Sequence, residues 1–268
     1  MNQVLQRSLT GIVFLAVVIG SIMYSAWTAL LLFAGFTVLA HAEFLRLSGA
    51  VKIHAAALLP ALSLYALLVL EAMGVFSSAL LPAATLVPIL LLAGGITPNR
   101  KKVEYASALS SLVYVVLPFS LAIWLALLPG YYDPYLLLAF FILLWSNDTG
   151  AYVWGRLIGG PKLWPAISPG KTWSGCFGGI LTSVLAGYLI AVFLVDDPVH
   201  SIWLGLGAVI GILSTLGDLF ESVLKRRAGV KDSGKILPGH GGVLDRFDGM
   251  IFALPGAYAY LAYLKFGF

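Results

Sequence analysis

Residues 8–42 read SLTGIVFLAVVIGSIMYSAWTALLLFAGFTVLAHA, a run without one Lys, Arg, Asp or Glu between Arg7 and Glu43. A helix needs ~20 apolar residues to cross the hydrocarbon core of a bilayer. The run is too long for a single crossing, and Gly20-Ser21 offers a break, so it predicts two helices. Further uncharged stretches follow at 53–70, 72–99, 105–132, 134–147, 172–195, 198–217 and 249–264. The stretch at 134–147 runs on as a helix past Asp148. The pattern predicts an all-α polytopic membrane protein of about nine transmembrane helices. They lie near 8–22, 26–46, 53–70, 75–94, 104–128, 134–155, 174–195, 200–225 and 249–266.

Composition agrees with that pattern. Of 268 residues, 60% are hydrophobic and 10% charged, against about 25% charged in a soluble domain. The mean hydropathy is +0.96. So few charges cannot cover a water-facing surface, so the solvent is lipid. A single cysteine, Cys176, excludes an internal disulfide, and no Cys/His cluster suggests zinc. The net charge of +4 has no solvated basic face to sit on, so no nucleic-acid partner is expected. No small-residue cleavage site leads into a hydrophilic mature domain, so no cleavable signal peptide is expected.

Charge sets the orientation. With nine spans, one side of the membrane receives Arg7, Arg46, Lys52, Arg100, Lys101, Lys102, Arg156, Lys162, Lys171, Lys225, Arg226, Arg227, Lys231, Lys235 and Arg246. That is 15 of the 16 basic residues. The other side receives Glu71, Asp133, Asp196, Asp197 and only Lys265. Basic loops stay cytoplasmic, which predicts a cytoplasmic N-terminus in a cell (inner) membrane. The two long loops, 155–174 and 225–249, fall on the same cytoplasmic side. No repeat and no linker divides the chain, so 1–268 is expected to be one membrane domain.

Five of the 12 acidic and six of the 16 basic residues crowd into 218–248. Asp218, Glu221, Ser222 and Lys225 stand at i, i+3, i+4 and i+7, on one face of a helix. Asp218 ends an uncharged run at the membrane boundary, where an ionisable group needs a partner. Asp245 and Asp248 form a second pair opening the last helix, where the dipole favours carboxylates. Carboxylates brought together from two helices repel unless a cation lies between them, and oxygen ligands favour Mg²⁺. The number of carboxylates leaves room for a second, monovalent cation. Gly234, Gly239, Gly241 and Gly242 leave a bare backbone that lets N–H groups approach phosphate. Lys225, Arg226, Lys231, Lys235 and Arg246 add positive charge. Together these belong to phosphoryl or nucleotidyl transfer. The plainer reading, a topology-setting loop, explains Arg227 but not two acid pairs, because acids contribute little to orientation.

The segment resembles the signature of the phosphatidate cytidylyltransferase (CDP-diacylglycerol synthase) family. Its fixed positions are filled by Ser222, Lys225-Arg226, Lys231-Asp232, Pro238, His240-Gly241-Gly242, Asp245-Arg246 and Asp248. The resemblance extends upstream to Ser146-Asn147-Asp148-Thr149-Gly150-Ala151-Tyr152, Gly155-Arg156 and Ile167-Ser168-Pro169-Gly170-Lys171-Thr172. One position departs: where relatives often carry Glu after the Ser-Pro-x-Lys-Thr run, this chain has Ser174. The resemblance implies that Asp218 and Asp245 hold the metal, that CTP and phosphatidic acid meet in a polar cavity open to the cytoplasm, and that the chain forms a homodimer. Within the single membrane domain, N-terminal helices are expected at 1–100 and a catalytic helix bundle, with the cytoplasmic loops 155–174 and 225–249, at 101–268.

Asp148 lies inside an apolar helix and needs a partner, which Arg156, Lys162 or Lys171 can supply. Its functional reading places it in the cavity, with Ser168, Lys171 and Thr172 on substrate phosphates. Its structural reading is a helix-packing ion pair. Gly170-Lys171-Thr172 imitates the end of a phosphate loop, but the first glycine of that motif falls at Pro165. His240 is expected to bind phosphate or hold its loop, because the phosphate nucleophile, with a second pKa of ~6, needs no base. Gly175/Gly179 and Gly207/Gly211 are read as helix-packing pairs.

The candidate site therefore has Asp218, Lys225, Asp245 and Asp248 as catalytic groups. Asp148, Ser168, Lys171, Thr172, Ser222, Arg226, Lys231, Asp232, Lys235, His240, Gly241, Gly242 and Arg246 surround the substrates. The expected reaction is in-line attack of a phosphatidic acid oxygen on the α-phosphorus of CTP, with the acyl chains left among membrane lipids. Two rivals are a CTP-dependent lipid (polyprenol) kinase, which would release CDP, and an ion-coupled transporter, which would predict broken helices in two repeats.

Overall fold

The computed structural model describes residues 3–49, 55–75, 110–195, 200–237, 239 and 241–266. The helices α1 (Gln3–Tyr24), α2 (Ala26–Leu47) and α3 (Ala55–Ala72) come first. A π-helical turn (Leu112–Val116) then leads into α4 (Leu117–Leu127), followed by α5 (Pro134–Leu157). A hairpin of β1 (Lys162–Trp164) and β2 (Ser168–Thr172) follows, then α6 (Trp173–Ile190), which runs on through a π-helical turn (Ala191–Val195). The chain closes with α7 (His200–Arg227) and α8 (Leu244–Phe266). Among the described residues, four helical stretches are long and apolar enough to cross a membrane: α2, α5, Trp173–Val195 and α7. The fold is that of an all-α membrane protein. The helix expected at 75–94 and the beginning of the one expected at 104–128 lie outside the described residues.

Three boundaries differ from the sequence expectation. The first two helices part at Ser25, not at Gly20-Ser21. Ser25 is extended (φ −168°, ψ 163°), and its hydroxyl and the Thr28 side chain cap one another's backbone N–H groups. A reciprocal N-cap fixes the start of a helix more decisively than an isolated Gly breaks one, since apolar neighbours carry the helix through the Gly. The last helix starts at Leu244, five residues before the helix expected at 249–266 but in keeping with Asp245 and Asp248 opening it, because acidic residues at its N-terminus are stabilised there. The loop expected at 155–174 contains an antiparallel hairpin, with Lys162 opposite Thr172 and Trp164 opposite Ser168.

The chain forms two compact units. One comprises Met1–Pro134 and Arg227–Phe247, the other Tyr135–Arg226 and Asp248–Phe268. The first is organised by aromatic packing. Phe36 and Phe119 both lie against Phe247, with ring centroids 4.9 and 5.1 Å away, and Phe33 and Phe119 are fully buried. Long-range side-chain bonds tie its helices together: Tyr65 donates to the Leu30 carbonyl at 3.0 Å and Trp124 to that of Leu68 at 2.9 Å.

The second unit packs through small residues. A Cβ on Gly175 would lie 2.7 Å from the Ala151 carbonyl oxygen, and one on Gly179 would lie 2.8 Å from that of Asn147. One on Gly207 would lie 2.5 Å from the Ser183 carbonyl oxygen, and one on Gly211 would lie 3.0 Å from the Ile180 Cα. In lipid, where burial of apolar surface gives little drive, such close backbone approach is what holds helices together. Gly175/Gly179 and Gly207/Gly211 are therefore packing pairs, as their spacing suggested. The opposite face of α6 exposes Trp173, Phe177, Leu181 and Leu185, a stripe suited to lipid.

Candidate active site

In the second unit, α5, β2, α6 and α7 surround a cavity of about 570 Å³, within the range of small-molecule sites. Asp148 and Asn147 come from α5, Lys171 and Thr172 from the end of β2, Cys176 from α6, and Ser214, Thr215 and Asp218 from α7. Tyr152 and Arg156 also line it, joined by a 2.8 Å bond from Arg156 Nη1 to the Tyr152 hydroxyl. The hairpin explains how Lys171 reaches the cavity. Thr172 ends β2 and caps α6, its hydroxyl accepting from Gly175 N at 3.1 Å. Ser174 holds the other end of the turn, meeting Thr172 Oγ1 at 3.0 Å and donating to the Gly159 carbonyl. Ser174, the position of departure, thus serves as a pin for the hairpin.

Charge in the cavity is balanced but loosely so. Lys171 Nζ lies 2.5 Å from Asp218 Oδ2, with 25% of the lysine side chain and 40% of the aspartate side chain exposed. The lysine nitrogen itself is buried, whereas the aspartate is open to the cavity, so the pair is screened from one side only. Ser222 reaches Asp218 Oδ1 at 3.5 Å. Asp148 is exposed on the cavity wall and not sealed among apolar helices. Asp148, Asp218 and Glu221 all exert repulsive charge–charge interactions on Asp248, which accepts from Gly249 N at 2.8 Å. Among the described residues, no three His, Cys, Asp or Glu side chains are close enough to hold a metal on their own.

Other expected site residues are committed elsewhere. Lys225 pairs with Glu221 at 2.5 Å, and that glutamate is fully buried. Removing one member of a buried ion pair costs about 3–5 kcal/mol, so Lys225 has structural work besides any contact with phosphate. Arg226 Nε donates to the Ile167 carbonyl at 3.3 Å, tying α7 to the turn of the hairpin. Ser168 begins β2 and does not line the cavity.

The first unit gathers the rest of the loop. Lys231, Asp232, Lys235 and Arg246 are exposed, and His240 lies outside the described residues. Asp245 is 8% exposed, and its Oδ2 accepts from Ser233 N (2.8 Å), Ser233 Oγ (2.9 Å) and Gly242 N (2.8 Å). Gly239 and Gly241 take φ of 76° and 84°, a left-handed conformation that favours glycine.

Sequence reasoning missed one acid here. Glu43, near the end of α2, is fully buried. Its Oε1 accepts from Val243 N at 3.0 Å, and its Oε2 from Leu244 N at 2.8 Å and Ser233 Oγ at 3.0 Å. The signal was present: Glu43 is an acid within a membrane-length apolar helix, and such residues are expensive and rarely idle. Four N–H groups on the loop and at the start of α8, those of Ser233, Gly242, Val243 and Leu244, thus face carboxylates, where the loop backbone was expected to face phosphate.

The comparisons agree with the motif. A segment of 123 residues is 55% identical to a phosphatidate cytidylyltransferase of Staphylococcus epidermidis, 52% to one of Staphylococcus haemolyticus and 50% to one of Staphylococcus aureus. It makes up 45% of this chain and 46% of each relative, so the chain spans about half the length of the curated relatives it matches. The sequence profile of the cytidylyltransferase family matches residues 5–264. With a signature that fills its expected positions and a profile running almost end to end, the chain belongs to the cytidylyltransferase family.

Proposed function

We propose that this chain joins CTP to phosphatidic acid, yielding CDP-diacylglycerol and pyrophosphate for phospholipid synthesis. The observation that carries the reading is the cavity of the second unit, where Asp148, Lys171, Thr172 and Asp218 share one space. Family membership and the names of the relatives support the same activity.

A phosphatidic acid oxygen attacks the α-phosphorus of CTP. An O–P bond forms, the α–β bridging P–O bond breaks, and pyrophosphate leaves with its electron pair. The attacking oxygen is already largely ionised near neutrality, since a phosphate monoester has a second pKa of ~6, so no general base is required. Two polyanions must meet, and repulsion is the main barrier. Lys171, released from Asp218, moves onto an incoming phosphate. Arg156, held by Tyr152, adds a planar donor fork at the same cavity. Lys231, Lys235 and Arg246 contribute positive charge from the loop, and Lys225 does so while retaining Glu221.

The donors suit Mg²⁺. They are oxygen atoms, and Asp218 is open to the cavity. Mg²⁺ typically takes one or two carboxylates and fills its shell with water and phosphate. We assign it to Asp218 and Asp245, with room for a monovalent companion. When bound, it neutralises triphosphate charge. Asp245 enters that role with its carboxylate already oriented by three donors.

We place the chain in the cell membrane with nine spans, a cytoplasmic N-terminus and a cytoplasmic active site, as the segregation of Lys and Arg supports. A homodimer completes the reading on the strength of the family resemblance. Purified protein given CTP, phosphatidic acid and Mg²⁺ should release pyrophosphate and CDP-diacylglycerol in equal amounts. Release of CDP with a phosphorylated lipid would instead identify a kinase, and no turnover of CTP would favour a transporter.

A further inference from the structure

We infer that Glu43 is a positioning residue for Asp245, acting across about two hundred positions of sequence to fix the loop that precedes α8. The inference rests on the assignment of Asp245 to the metal.

The helix needs an outside cap. Val243, the residue before α8, has no side-chain oxygen with which to cap the helix, and Glu43 takes its N–H and that of Leu244 on separate oxygens. A carboxylate there also faces the positive end of the helix dipole. The loop is shaped to admit it. A Cβ on Gly234 or on Gly242 would collide with the Glu43 carboxylate. Those two glycines therefore clear space for Glu43, whereas Gly241 is constrained by its positive φ and by Asp245 Oδ2, which lies 2.6 Å from where its Cβ would be.

The link to Asp245 is Ser233. Its hydroxyl sits 3.0 Å from Glu43 Oε2 and 2.9 Å from Asp245 Oδ2, and its backbone N–H binds Asp245 as well. Serine has one hydroxyl proton and two carboxylates to serve, so the three groups settle their geometry together. A shift of Glu43 is passed to Asp245 through Ser233 and through the displaced Gly242–Leu244 backbone. A plain structural cap would change stability alone, whereas a positioning residue also changes how well Asp245 meets its ion.

The test uses full-length protein in detergent with Glu43→Gln, Glu43→Ala, Gly242→Ala and the Glu43→Ala/Gly242→Ala double variant. In Glu43→Gln, the Mg²⁺ concentration for half-maximal turnover should rise about tenfold or more, a misplacement effect, while KM for phosphatidic acid stays put. Glu43→Ala should show a larger rise. Gly242→Ala, whose Cβ would meet both the Glu43 carboxylate and the Ser233 hydroxyl, should share the signature, and the double variant should fall short of the sum of the singles, because both act on one Glu43–Ser233 network. Hydrogen exchange at Val243 and Leu244 should accelerate in every variant, a readout that needs no activity. Unchanged Mg²⁺ dependence in a folded Glu43→Gln protein, or strictly additive effects in the double variant, would overturn the inference. Wild-type protein that makes no CDP-diacylglycerol would instead refute the proposed function. In that case unaltered exchange at Val243 and Leu244 in Glu43→Ala would still overturn the role given to Glu43.

Discussion

The two units each concentrate acidic side chains, but they neutralise them in opposite ways. In the second unit, Asp148 and Asp218 open onto a cavity, and Asp218 is answered by the side chain of Lys171. In the first, Glu43 and Asp245 are buried and accept from backbone N–H groups and from one serine. Water and a mobile cation leave a carboxylate available to a ligand. Fixed N–H groups hold a carboxylate in one orientation. The same residue type thus does different work according to what compensates its charge. The first kind should govern chemistry with little effect on folding, and the second should govern both.

Substitutions of the acids separate the two kinds most sharply. Asp218→Asn should lower CDP-diacylglycerol formation by at least about a hundredfold, the scale of losing one electrostatic stabiliser, with little change in Tm. Asp245→Asn should lose a similar factor, but with a measurable fall in Tm, because Oδ2 also holds Ser233 and Gly242. A stability loss for Asp218→Asn that matched that of Asp245→Asn would erase the contrast. Lys225→Ala probes a third acid, Glu221, which is sealed although it lies in the second unit. Removing one member of that buried pair should cost about 3–5 kcal/mol, read by thermal unfolding in detergent. The double variant with Glu221→Gln should recover part of the loss.

Smaller effects test the scaffold that keeps the cavity open. Gly207→Ala would place a methyl 2.5 Å from the Ser183 carbonyl oxygen. Overpacking of that sort costs about 1–3 kcal/mol and should lower Tm. Arg226→Ala removes an exposed bond to the Ile167 carbonyl. It should change stability by no more than about 0.5 kcal/mol if Arg226 is a tie for the hairpin, and a large loss of activity would promote it to a substrate contact.

Much of this arrangement was legible in the sequence, for identifiable reasons. Uncharged runs of membrane length mark helices directly, because lipid allows few other backbone states. Asp218, Glu221, Ser222 and Lys225 do share α7, since helical periodicity is a local property. Asp148 and Lys171 reach one cavity, as their separate motifs suggested. What sequence concealed was pairing at long range. Nothing in the local pattern around Glu43 says that Val243 and Leu244 will meet it, and the loop glycines invited a phosphate where a glutamate side chain fits. The hairpin was hidden for a similar reason. Its strands are three and five residues long, and one contains Pro169-Gly170, which reads as a turn. Likewise the break at Ser25 depends on a reciprocal side-chain cap, a weaker sequence signal than Gly20.

The most direct check on the proposed chemistry follows phosphorus through one turnover. CTP labelled at the α-phosphorus, and separately at the γ-phosphorus, is incubated with phosphatidic acid, Mg²⁺ and the purified protein. The α label should enter CDP-diacylglycerol while the γ label leaves entirely as pyrophosphate. Transfer of the γ label into lipid, with the α label recovered as CDP, would contradict nucleotidyl transfer outright.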